Sequence, residues 1–93
     1  MNKEVKISRA ALKQLLRVPK YIAIKLKAWV EDIEARGLEE VRKVPGYHDE
    51  PLHGDRQGQR SIRLSRSYRA IYVIMENGNI KFISVEEVSK HDY

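Results

Sequence analysis

The chain has no cysteine, so a disulfide framework and a thiolate metal site are both excluded. It holds three prolines, one tryptophan and one phenylalanine in 93 residues. Nowhere is there an apolar run of about 18 residues, the length a membrane-spanning helix requires. The opening "MNKEVKISRA" has charges but no apolar stretch behind them, which predicts no signal peptide. Histidine is sparse, and His48 and His53 lie five apart with no thiol partner, a poor metal pattern; no metal is expected. "HGDRQGQ" lacks the Lys-Ser/Thr ending of a phosphate-cradling loop, and no small-molecule cofactor is expected. Together these absences predict a cytoplasmic protein without membrane or cofactor.

What is abundant is charge. Charged residues make up 33% of the chain, hydrophobic ones 42%, and the net charge is +5, values of a globular domain rather than a disordered one. The length fits a single domain over residues 1–93. Positive charge is concentrated in two zones, a net +7 over residues 1–27 and a net +4 over residues 51–72, separated by an acidic stretch. Two basic zones on so small a body favour a polyanionic partner, against the alternative of a merely solvated surface.

Hydrophobic periodicity orders the elements. "EVKIS", Glu4 to Ser8, alternates as a short strand. Ser8 can cap a helix through "SRAALKQLLRV", with Leu12, Leu15 and Leu16 as its apolar stripe. Pro19 suits the first turn of a second helix, whose inner face is Ile22, Leu26, Trp29, Val30 and Ile33 and whose stop is Gly37. Trp29 on that stripe reads as core. Residues 38–59 are polar and rich in Gly and Pro and read mainly as a long loop with one helical turn near Glu39–Lys43; loops of that length are often functional. A strand follows from Arg60 to Ser65, with Ile62 and Leu64 inward and Arg63 outward. "YRAIYVIM", Tyr68 to Met75, is apolar on both faces beyond Arg69 and reads as a central strand. Asn77–Asn79 is a hairpin turn, and Ile80 to Val88 the last strand. The expectation is an α+β fold of order β-α-α-β-β-β, an N-terminal helical hairpin packed on a small, mainly antiparallel sheet.

Five arginines, Arg56, Arg60, Arg63, Arg66 and Arg69, fall within fourteen residues of this plan. Buried together without partners they would repel one another and lose solvation. Facing a groove, they are forks matched to phosphate. His48, His53 and Arg56 of the long loop are placed to line the same groove. The competing reading pairs the arginines with Asp49, Glu50, Asp55 and the C-terminal acids.

The element order, "PLHGDRQGQRSIRLSRSYRAIYVI" and the ending "VEEVSKHDY" resemble the RelE/ParE superfamily of type II toxin–antitoxin toxins over nearly the whole chain. The "L-x-G-D-R-x-G" loop followed by "S-I-R-L" and "Y-R-x-I-Y" leans towards the HigB and RelE branch. The resemblance implies a RelE-like microbial RNase fold. It further implies an endoribonuclease, an mRNA interferase that cuts mRNA in the ribosomal A site and is neutralised by an antitoxin encoded beside it. The ParE branch shares the fold but poisons DNA gyrase and lacks the nuclease residues. A gyrase inhibitor and a plain basic RNA-binding module are therefore the alternatives.

Carried over by position, Arg63 matches the basic residue projecting after the loop, and Arg69 the arginine behind the aromatic residue that starts the central strand. His53 stands where HigB-like toxins place a lysine, and Glu50 where they can carry a histidine. His91 and Tyr93 match a C-terminal Arg or His and an aromatic, and Asp92-Tyr93 resembles an acidic-Tyr pair of HigB relatives. Arg56, Arg60 and Arg66, with Lys20, Lys25 and Lys27 of the first basic zone, are the expected RNA and ribosome (rRNA) contacts. In such chemistry the 2′-OH attacks its own 3′-phosphate. A base takes the 2′ proton, cations hold the growing phosphorane charge and an acid protonates the leaving oxygen. Arg63 and Arg69 suit the phosphate, His91, Glu50 or His53 the base, and Tyr93 the acid or a stacking platform.

Overall fold

A computed structural model describes residues 3–90. Strand β1 (Val5–Ile7) leads into helices α1 (Arg9–Leu15), α2 (Lys20–Arg36) and α3 (Leu38–Val41). A short edge strand β2 (Glu50–Pro51) precedes β3 (Arg60–Arg63), β4 (Tyr68–Asn77) and β5 (Ile80–Lys90). The sheet has the order β1-β5-β4-β3-β2, with β1 parallel to β5 and every other pair antiparallel. The α+β plan and the central position of β4 are as the periodicity predicts. No described helix is long and apolar enough to cross a membrane.

One face of the sheet holds the core. Ile62, Ala70, Tyr72, Ile83, Val85 and Val88 meet Ile22, Leu26, Trp29 and Ile33 of α2 there, all essentially inaccessible to solvent. Trp29 and Tyr72 pack with ring centroids 5.3 Å apart and planes tilted by 47°, so Trp29 is core. Gly37 ends α2 at φ 87°, a conformation that side-chain-bearing residues avoid, and its N–H caps the Ile33 carbonyl at 2.7 Å.

Helix α1 differs from its expected stripe. Leu12 and Leu16 are 52% and 87% exposed, while Ala11 is fully buried. Polar anchors set the rotation. Ser8 caps the helix by accepting from the Ala11 N–H and donates to the Glu86 carbonyl at 3.2 Å, and the Gln14 side chain accepts from the Val88 N–H at 2.6 Å. The Ser8–Ala11–Gln14 line therefore faces β5; Leu12 and Leu16 turn outward, while Leu15 of the expected stripe is half-buried against the core. The anchor at Glu86 coincides with a bulge: Ile71 pairs with Glu87 but Tyr72 with Val85, leaving Glu86 extra.

The segment 38–59 is not the open loop its composition suggests. Besides α3 and β2 it carries 3-10 turns at Pro45–Tyr47 and Gly54–Arg56. Polar anchors organise it: Tyr47 donates to Asp32 at 3.3 Å, and Asp49 accepts from Arg60 Nε at 2.6 Å and from the Tyr72 hydroxyl at 2.5 Å. The second half of β4 also departs from expectation. Ile74 and Met75 are 43% and 45% exposed, because β3 pairs with β4 only as far as Tyr72 and the hairpin runs on as two strands.

Candidate functional site

The face of the sheet opposite the helices is polar, and strand alternation decides what stands on it. Register places Glu50, Ser61, Ile71 and Glu87 in one row across β2, β3, β4 and β5. The next row is Arg63, Arg69 and Ser89. Ile71 is fully buried yet lies outside the main core cluster, so it forms the apolar floor beneath these polar side chains.

Arg63 and Arg69 stand directly opposite each other across β3 and β4. Like charges in that relation destabilise a sheet. Among the described residues neither makes an ion pair or a side-chain hydrogen bond, and the Nε of Arg69 is buried without a hydrogen-bond partner. A buried guanidinium N–H left so is costly, and it is the kind of donor a ligand oxygen satisfies. Both arginines line a cleft of about 150 Å³ with His48, Glu50, Ser61 and Arg66. Ser65 and Tyr68 complete its wall.

The competing reading, in which acids neutralise the arginines, holds for Arg60 and Arg56. Arg60 is held by Asp49, whose side chain is 1% exposed. Burial lowers the Arg60 pKa, but the hydrogen bond and charge of Asp49 outweigh it and the net shift is upward. Burial, then the hydrogen bond and charge of Asp49, push the Tyr72 hydroxyl well above its ordinary value. Arg56 donates to Glu87 at 2.6 Å and to Gln59 at 2.8 Å. That bond lowers the Glu87 carboxyl below its ordinary range against the opposing effect of burial; a hydrogen bond from Ser89 and the charges of Arg56 and Arg69 lower it further. Arg56 and Arg60, expected as RNA and ribosome contacts, thus also brace the loop and the sheet through Glu87 and Asp49.

The other expected residues divide. Glu50, Arg63, Arg66 and Arg69 come together in the cleft, and Lys25 lines a groove beside it. His53 is exposed, caps the Gly54–Arg56 turn and does not line the cleft, so its candidacy as base loses its geometric support. Lys20 and Lys27 are exposed on α2 and line neither hollow. His91, Asp92 and Tyr93 lie outside the described residues. Of the three loop residues expected to line the groove, His48 does so, beside Glu50, while His53 and Arg56 do not; His48 is also the one described non-glycine residue at positive φ, 46°. Histidine tolerates that backbone region better than most residues. No group of three or more metal-ligating side chains occurs among the described residues.

A mainly antiparallel sheet with helices packed on one face is the architecture of RelE/ParE-superfamily toxins. The family described as the ParE toxin of type II toxin–antitoxin system, parDE, matches residues 5–91. The chain belongs to this family of toxins. No curated protein matches it. Among solved structures, YafQ of E. coli is similar at a TM-score of 0.73 and 18% identity, over 95% of this chain and 92% of that one. The YoeB/ParE toxin from Agrobacterium tumefaciens is similar at 0.68 and 17% identity, over 96% and 99%. YoeB in the YoeB–YefM complex from Staphylococcus aureus gives 0.68 and 18%, over 96% and 97%. At these identities the likeness is one of fold.

Proposed function

We propose that this toxin is a ribosome-dependent mRNA endoribonuclease, the activity that the HigB and RelE resemblance of its loop implies. The observation that carries the reading is the Arg63–Arg69 pair, two permanent cations opposed on the sheet, neither of which forms an ion pair among the described residues. A scissile phosphate between them supplies the missing anion, and their hold strengthens as charge develops on the phosphorane. Glu50 lines the same cleft and is the candidate base for the 2′ proton, with His48 beside it and His91 as the alternative. Tyr93 is the proposed acid. No metal ion takes part in this scheme. The neutralising partner is an antitoxin, as in the YoeB–YefM complex, and it acts by covering the cationic cleft.

The ParE description of the matched family favours a second reading, a gyrase inhibitor. Such a protein has no need of a cleft that opposes two arginines and a carboxylate. Mapping mRNA 5′ ends after brief induction distinguishes the two. The nuclease yields new 5′-hydroxyl ends within coding regions, whereas intact mRNA with gyrase–DNA adducts assigns the protein to gyrase.

A further inference from the structure

We infer that the groove between the first half of α2 and the β3–β4 connection is a base-binding subsite for the nucleotide adjoining the scissile phosphate, with Tyr21 as its stacking platform. The inference rests on the nuclease reading and extends it to a surface outside the cleft. Tyr21, Ile24 and Lys25 sit at i, i+3 and i+4, one face of α2. The adjoining face, Ile22, Leu26 and Trp29, fills the core. Tyr21 and Ile24 are nonetheless 56% and 58% exposed, two large apolar side chains in adjoining positions with no core to serve. They line a groove of about 440 Å³ whose buried wall is Leu64. Gly46 keeps another wall low, since a Cβ there would meet nothing within 4 Å.

The occupant follows from charge and continuity. Among the described residues the groove is lined by the cations Lys25 and Arg63 and by no carboxylate, so its ligand carries negative charge as well as a flat apolar surface. Arg63, Ser65 and Arg66 line both this groove and the phosphate cleft. An RNA strand with one phosphate at Arg63 therefore brings its neighbouring base to Tyr21, while Lys25 meets the next phosphate. Stacking on a single exposed tyrosine accepts any base, so the subsite contributes affinity more than sequence preference.

The test uses ribosomes programmed with mRNA that carries a single abasic nucleotide at successive positions around the cut. Single-turnover cleavage is followed as toxin concentration rises. Tyr21→Ala is expected to raise the half-saturating concentration roughly 5–100-fold on intact mRNA, with the rate at saturation unchanged. Tyr21→Trp should restore it. At one abasic position wild type should show the same loss, and Tyr21→Ala no further loss. Equal behaviour of Tyr21→Ala and wild type on every mRNA overturns the subsite and leaves the nuclease standing. So does a variant that cuts normally but no longer binds the purified antitoxin, which gives the groove to a protein segment. If wild type cuts no mRNA at all while Arg63→Ala is equally inert, the nuclease reading falls and the subsite with it.

Discussion

The Tyr72 hydroxyl donates to Asp49 at 2.5 Å across 23 positions of sequence, and Arg60 donates to the other oxygen of the same carboxylate at 2.6 Å. Asp49 sits between His48 and Glu50, both of which line the cleft. One buried carboxylate thus ties the loop to the central strand and fixes the two cleft residues beside it. Asp49→Ala leaves a guanidinium and a phenol without their partner. It is expected to cost on the order of 3 kcal/mol, because removing one member of a buried ion pair strands the other. Tyr72→Phe loses one hydrogen bond and should cost about 1 kcal/mol. Urea unfolding of both variants checks the order; an Asp49→Ala protein as stable as wild type would show that the loop holds without this anchor.

Glu87 makes stability depend on acid in a definite direction. The Arg56 hydrogen bond holds its folded pKa below the ordinary value of 4.5. Its contribution is therefore complete above the unfolded value and is lost as pH falls through the folded one. The stability gap between wild type and Glu87→Gln should be constant near neutrality and close progressively as pH falls below about 5. Chemical denaturation across that range measures it. A gap that widens with acid would mean the Arg56–Glu87 contact is not what lowers this carboxyl.

Much of this fold was legible because it rests on periodic burial. The α2 stripe from Ile22 to Ile33, the central strand and the Gly78 turn, at φ 64°, obey rules that local sequence carries. Leu12 and Leu16 were misread because α1 is oriented by Ser8 and Gln14, polar residues that periodicity does not weigh. The 38–59 segment looked loose for the same reason, since its order comes from Asp49 and Tyr47 bonding to residues remote in sequence. In the site, Arg63 and Arg69 could be placed by strand alternation alone. Which arginines were neutralised could not, because that depends on where Asp49 and Glu87 arrive after folding.

The cleft separates the candidates for general base. Glu50 lines it and His53 does not. Glu50→Gln is expected to slow single-turnover cleavage by roughly 10²–10⁴-fold, the range for loss of a positioned proton acceptor. His53→Ala should cleave at the wild-type rate. An inert His53→Ala together with an active Glu50→Gln would reverse the assignment and require the Gly54–Arg56 turn to move when RNA binds.

Arg69 on one side and Arg56 and Arg60 on the other, alike in sequence, should behave as two kinds. Arg69 has a buried, unpartnered Nε and faces Arg63, so its best partner is charge that develops in the transition state. Arg69→Ala should lower the cleavage rate roughly 10²–10³-fold even at saturating ribosome, as loss of one oriented charge-stabilising donor does. Arg60 is bound to Asp49 and Arg56 to Glu87, so their charges are already answered within the protein. Arg56→Ala should leave the saturated rate close to wild type and change the salt dependence of ribosome binding by less than about one unit of slope. Arg60→Ala should appear mainly as lost stability, because Asp49 is stranded. Single-turnover cleavage at saturation, read beside urea unfolding of the same variants, resolves the two kinds. An Arg69→Ala protein that cleaves like wild type once bound would reduce the opposed pair to an electrostatic docking patch and remove the main support for catalysis in this cleft.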